Sequence, residues 1–126
     1  MITFKVLARK NPRDITAQEK FYASVVSNGT TDLKTLSELI SSQCTVTTTD
    51  CIAVLNTLEE NIVRELKLGR TVKLGKIGTF RMSISSEGVE TADEVNTKII
   101  KKSRILFRPT EGLRGLLSQL TFKKVS

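Results

Sequence analysis

Hydrophobic and polar positions alternate from the start of the chain. Ile2, Phe4 and Val6 fall on one parity, and Thr3, Lys5 and Arg9 on the other, a period of two that predicts a strand over residues 2–9. Lys10-Asn11-Pro12-Arg13-Asp14 reads as a turn, because proline has no N–H to give a sheet ladder. A second β-rich run, 21–27, closes on Asn28-Gly29, and Thr30-Thr31-Asp32 then suits a helix N-cap. Leu33, Leu36, Leu39 and Ile40 take helical spacing, so a helix of about ten residues is expected, fading near Ser41-Ser42. Thr47 and Asp50 are spaced like a capping box for the next helix, whose apolar face is Cys51, Leu55, Leu58, Ile62 and Leu66, with Gly69 as its stop.

Beyond Gly69 the period returns to two. Val72 and Leu74 alternate with Thr71 and Lys73, Gly75-Lys76-Ile77-Gly78 turns the chain, and Phe80, Met82 and Ile84 alternate with Thr79, Arg81 and Ser83. Residues 85–97 are polar apart from Val89, Ala92 and Val95. Residues 99–108 are extended again, with Ile99, Ile105 and Phe107 on one parity and Lys102, Arg104 and Arg108 on the other. Pro109 ends that strand and can open a last helix with Leu113, Leu116, Leu117 and Leu120 on its face. The predicted order is β–β–α–α–β–β–β–α with a short tail at 121–126, an α+β chain expected to form one domain.

Composition narrows what such a fold can do. The chain has 126 residues, no His and two Cys, which leaves no Ser-His-Asp or Cys-His catalytic site and too few ligands for a four-ligand zinc site. No metal, cofactor or catalytic residue is therefore expected. No apolar run reaches the ~20 residues that cross a bilayer, and the alternating N-terminus lacks a signal-peptide block. Cys44 and Cys51 have no redox or metal spacing and are expected to be small buried thiols in a reducing, cytoplasmic setting. Neither a membrane nor a small-molecule substrate is expected as a partner.

The net charge of +7 is unevenly distributed. Residues 1–13 hold Lys5, Arg9, Lys10 and Arg13 without an acid, 67–82 hold Lys67, Arg70, Lys73, Lys76 and Arg81, and 98–108 hold Lys98, Lys101, Lys102, Arg104 and Arg108. Between the last two lie Glu87, Glu90, Asp93 and Glu94. Each block alone reads as a solvated face, but three brought together by a fold would present a polyanion-binding surface.

From about Asp32 to Leu120 the order resembles the bacterial histone-like DNA-bending family of HU and integration host factor. The segment Gly69-Arg70-Thr71-Val72-Lys73-Leu74-Gly75-Lys76-Ile77-Gly78-Thr79-Phe80 is similar to that family's turn-strand-turn, in which a glycine precedes Val-x-Leu and then Gly-Thr-Phe. Phe107-Arg108-Pro109 with Leu113 resembles its Phe-x-Pro lead into the last helix. The resemblance implies a helical hairpin, a three-stranded antiparallel sheet with a β-arm at about 83–101, a C-terminal helix, and an intertwined dimer of identical or related subunits. Residues 1–30 have no counterpart in the short members and look like the β-extension of a longer, divergent branch, whose appended domains are not expected within this chain. The family's arm carries Arg-Asn-Pro near its tip, whereas residues 83–98 hold neither proline nor arginine.

The implied function is architectural, low-specificity binding of double-stranded DNA in the nucleoid, with bending if the arm enters the minor groove. Candidate phosphate contacts are Lys73, Lys76, Arg81, Lys98, Lys101, Lys102, Arg104 and Arg108, and the candidate wedge at the arm tip is Val89 or Val95. Other classes fit less well. A single-strand-binding module needs exposed aromatics, but Phe80 and Phe107 lie on the apolar parity and only Tyr22 is free. A KH-type loop would sit between helices, not strands. Acid-base or metal chemistry by the four acids would rest on a polar loop without His. The stronger rival is a structural or protein-interaction protein that keeps the fold without bending DNA.

Overall fold

Asp32 and Thr47 start the two long helices as their side chains predict. In the computed structural model, which describes residues 1–125, Asp32 accepts from the Thr35 N–H at 2.9 Å and Thr47 accepts from the Asp50 N–H at 3.1 Å. Each satisfies a donor that has no partner inside its helix. Helix α1 spans Leu33–Gln43 and α2 spans Thr48–Lys67. Gly69 follows α2 with φ of +80°, the left-handed conformation expected of a helix stop. The two helices pack against each other as a hairpin, and Ser37 of α1 is wholly buried and donates its hydroxyl to the Leu33 carbonyl at 2.7 Å.

Strands β3 (Val72–Leu74), β4 (Gly78–Ser86) and β5 (Ile100–Pro109) form an antiparallel sheet in that order, with α2 against β3 and β4. The turn after β5 is followed by α3 (Glu111–Leu117), which packs on β5. Pro109 closes the strand as expected, but Thr110 and not the proline stands at the helix start. Helix α3 is shorter than its leucine pattern predicts, and Leu120 falls beyond it. Gly112 and Gly115 weaken so short a helix, and Ser118 ends it.

The N-terminal residues build a second sheet. Strands β1 (Ile2–Arg9) and β2 (Lys20–Val26) pair antiparallel, with Phe4 opposite Val25 and Arg9 opposite Lys20. Residues 121–126, read from sequence as a tail, instead supply β6 (Phe122–Lys124), which pairs parallel to β1 with Thr3 opposite Lys123. The Ile2 N–H donates to the Thr121 carbonyl and the Val125 N–H to the Phe4 carbonyl, both at 2.8 Å. The extension therefore neither widens the β3–β4–β5 sheet nor stands alone. It is joined by the other end of the chain.

The arm also differs from expectation. Pairing of β4 with β5 ends at Ser86–Ile100, and residues 87–99 hold two single 3₁₀ turns at Ala92–Glu94 and Thr97–Ile99 instead of continuing a hairpin. Of the three apolar residues in this segment, Ala92 opens the first turn, Val95 follows it, and Val89 lies in irregular chain before it.

Little of this is deeply buried in a single chain. Among described apolar side chains only Cys51 and Leu66 reach full burial, at 5% and 8% exposure. Leu36, Leu39, Val54, Val63, Leu116 and Leu117 remain exposed on the helices, and Ile84, Ile105 and Phe107 on the sheet. Cys51 is a buried thiol as predicted, but Cys44 just past α1 is exposed. Among the described residues no helix is long and apolar enough to cross a membrane.

Candidate nucleic-acid interface

The register of the β3–β4–β5 sheet sorts its side chains into two chemically distinct faces. Direct cross-strand partners share a face, and alternate residues along a strand share it too. Phe80 lies between Val72 and Phe107, and Met82 opposite Ile105, so with Leu74 and Ile84 these form the apolar face. Phe80 and Phe107 contact ring to ring, 4.8 Å between centroids with planes tilted by 36°.

The opposite face carries the cations. Lys73 and Arg108 flank Thr79, Arg81 lies opposite Leu106, Arg104 opposite Ser83, and Lys102 opposite Ser85. That face holds five bases and no acid, and the five form no ion pair with any described residue. Lys73, Arg81, Lys102, Arg104 and Arg108 are all exposed. Uncompensated positive charges on a β-surface favour a ligand that is itself a repeated anion.

Three of the sequence-derived candidates stand elsewhere. Lys101 is the extra residue of a β-bulge, since Ser85 faces Lys102 while Ser86 faces Ile100, and its ammonium pairs with Glu87 at 3.6 Å. Lys98 lies in the second 3₁₀ turn, where its N–H donates to the Asn96 side chain at 2.8 Å. Lys76 is in the β3–β4 turn and opens onto a groove with Lys73, Arg108 and Arg114. Of the two wedge candidates, Val89 is half-buried and Val95 is 61% exposed.

Arg114 is the cation that the sequence pattern does not reveal. It lies off the leucine face of α3, so its side chain is free to point elsewhere, but nothing local says where. The start of α3 is tied to the β3–β4 turn: the Gly112 N–H donates to the Lys76 carbonyl at 3.1 Å, the Thr110 N–H to the Ile77 carbonyl at 3.1 Å, and the Thr110 hydroxyl to the Lys76 carbonyl. These bonds bring Arg114 to the groove at the end of the cationic face. Glu111 is the one acid that lines it.

Residues 1–124 match the family described as HU-HIG, "HU domain fused to wHTH, Ig, or Glycine-rich motif". The chain belongs to the HU-HIG family. The HU-like reading of its helical hairpin, sheet and last helix thus holds at the level of the family. Among solved structures it is similar to one from Bacteroides vulgatus called a "Putative bacterial DNA binding protein", with a TM-score of 0.64 and 10% identity. The likeness covers 98% of this chain and 48% of that one, so this HU-HIG chain spans about half the length of the protein it matches. At that identity the likeness concerns the fold. No curated protein matches it in sequence.

Proposed function

We propose that this HU-HIG chain is an architectural protein that binds double-stranded DNA with low sequence specificity, its β3–β4–β5 sheet set against the phosphate backbone. The observation that carries this reading is the acid-free face of Lys73, Arg81, Lys102, Arg104 and Arg108, continued by Lys76 and Arg114 in the adjoining groove. The description of the Bacteroides vulgatus protein as DNA-binding points the same way. Phosphate contacts displace condensed counterions and carry no sequence information, which is why affinity should be strongly salt-dependent and weakly selective. Lys98 and Lys101 contribute only to the field around the arm, where Glu87 offsets Lys101.

The exposed apolar positions of α1, α2 and α3 support a dimer in which a second copy covers Leu36, Val54, Val63 and Leu116. An identical subunit is the simplest partner, and light scattering should then return twice the 14.0 kDa of one chain. The reading takes residues 1–126 as one HU-like unit with a β-extension, acting on the nucleoid in the cytoplasm.

The test is a salt titration of binding to a random-sequence duplex. If about six phosphates are neutralised, log K should fall against log salt with a slope of about −5, and each phosphate left unneutralised should flatten it by about 0.9. Arg104→Ala and Lys102→Ala should each weaken binding at all sequences alike. An unchanged affinity and slope in both variants would show that this face is not the site.

A second reading is a protein-interaction role that keeps the fold. The observation favouring it is the acidic segment Glu87, Glu90, Asp93 and Glu94 at the end of the β4–β5 ribbon, which suits a basic protein better than a phosphate. Binding to DNA that vanishes at physiological salt would favour this alternative.

A further inference from the structure

The first basic stretch of the chain does not lie on the sheet described above. Lys5 and Arg9 are on β1, Lys20 is on β2 and Lys123 is on β6. The register puts all four on one face: Lys5 opposite Ser24, Leu7 opposite Tyr22, Arg9 opposite Lys20, and Thr3 between Val26 and Lys123. The other face is Ile2, Phe4, Val6, Ala8, Phe21, Ala23, Val25 and Phe122, with Lys124 its one charge. The three strands contain no acid, so the sheet has one cationic side and one apolar side.

Three details mark the cationic side as more than a solvated surface. Arg9 and Lys20 stand directly across the ladder, an arrangement that is unfavourable by itself and that a bound anion would relieve. None of Lys5, Arg9, Lys20 and Lys123 pairs with a carboxylate among the described residues, although Lys10 next to them does, with Glu19 at 3.8 Å. The Arg9 guanidinium lies 5.9 Å from the centroid of the exposed Tyr22 ring, a contact that leaves its charge unneutralised. Arg9, Lys10, Lys20 and Tyr22 line an open groove where the strands meet the 10–19 loop.

We infer that this face of the β2–β1–β6 sheet is a second phosphate-binding surface, which contacts the backbone of double-stranded DNA in addition to the β3–β4–β5 face. The inference rests on the DNA-binding reading and extends it. A repeating polyanion can be held by two separate cationic sheets at once, and Lys5 and Arg9, four residues apart along β1, are spaced about 13 Å. The role of the N-terminal extension is then to enlarge the phosphate footprint, and β6 completes it by adding Lys123 from the other end of the chain.

The test compares three variants of the full chain with the unaltered protein, on random-sequence duplexes across a range of salt. K5Q/R9Q/K20Q/K123Q should weaken binding by about tenfold or more at low salt and flatten the salt slope by about 0.9 for each phosphate it leaves unneutralised. K5R/R9K/K20R/K123R keeps the charges and should bind as the unaltered protein does, which separates loss of charge from loss of fold. R81Q/R104Q reports on the other sheet. If the glutamine variant keeps full affinity and slope while R81Q/R104Q loses both, the second surface is refuted and the DNA-binding reading stands. If the charge-keeping variant also fails, charge is not what the sheet contributes and the inference falls. Absence of DNA binding by the unaltered protein would overturn both, and tighter binding to single strands than to duplex would overturn the assignment to duplex.

Discussion

The ring of Phe107 occupies the space in which a Cβ on Gly78 would stand. Such a Cβ would overlap the ring edge and lie 2.9 Å from the Arg108 carbonyl oxygen, so only glycine lets β4 begin this close to β5. Gly78→Ala should therefore force the ring aside and destabilise the chain by about 1–3 kcal/mol, the usual range for overpacking. Phe107→Ala removes the obstacle and the packing against Phe80 together. In that background Gly78→Ala should cost clearly less, a coupling that a double-mutant cycle in urea would measure. Additive losses would show that the ring does not set the limit.

Arg114 and Glu111 make opposite predictions in one groove. Both line the end of the cationic face with Lys73, Lys76 and Arg108. Arg114→Ala should weaken binding to every duplex alike and flatten the salt slope by about 0.9, and Glu111→Gln should strengthen binding by removing the only acid there. Arg114→Lys, which keeps the charge, should lie close to the unaltered protein. Gel-shift titrations at two or more salt concentrations would read all three.

How much of this is legible in sequence depends on how local its cause is. The caps at Asp32 and Thr47, the stop at Gly69 and the alternation through Phe80, Met82 and Phe107 are set by neighbouring residues, and the structure follows them. Because strand parity also fixes which side chains share a face, Arg81, Lys102, Arg104 and Arg108 come together as alternation requires. The bulge at Lys101 breaks that rule, and no residue type announces it. Strand β6 is illegible for a different reason. Phe122–Lys124 is too short to show a period, and its partner β1 is at the other end of the sequence. Arg114 escapes notice because its neighbourhood is made by hydrogen bonds from Thr110 and Gly112 to the carbonyl of Lys76, a non-local link.

Acid should act on the cap of α1. The Thr35 N–H and then the Thr35 hydroxyl, at 2.9 and 2.8 Å, donate to the Asp32 carboxylate and hold it below its ordinary value of 3.8. A carboxylate lowered on folding adds stability that is complete above its unfolded value and is lost as pH falls through the folded one. Asn can cap the same N–H groups but does not titrate. The stability difference between the unaltered protein and Asp32→Asn should thus be constant near neutral pH and change only below about pH 4. Urea unfolding at a series of pH values would show it, and a difference that already varied between pH 6 and 7 would point to another group.

Binding should leave the duplex without a sharp kink. Beyond β3, β4 continues for six residues from Arg81 to Ser86 against β5, a ribbon of about 20 Å that is long enough to follow a groove. Its end is unsuited to wedging. Val95 is exposed, but it shares residues 87–99 with four acids and a single base, Lys98, and those acids repel the phosphates on either side of the groove. Opening a base step costs a few kcal/mol, which an apolar side chain must offset by entering fully. Energy transfer between dyes on the ends of a duplex of about 30 bp should accordingly change little on binding, and Val95→Ala should leave both transfer and affinity as they are. Glu90→Gln with Asp93→Asn and Glu94→Gln should tighten binding, since it removes the repulsion while sparing the sheet. A large rise in transfer that Val95→Ala abolishes would instead identify Val95 as a wedge and make this chain a bender despite its acidic tip.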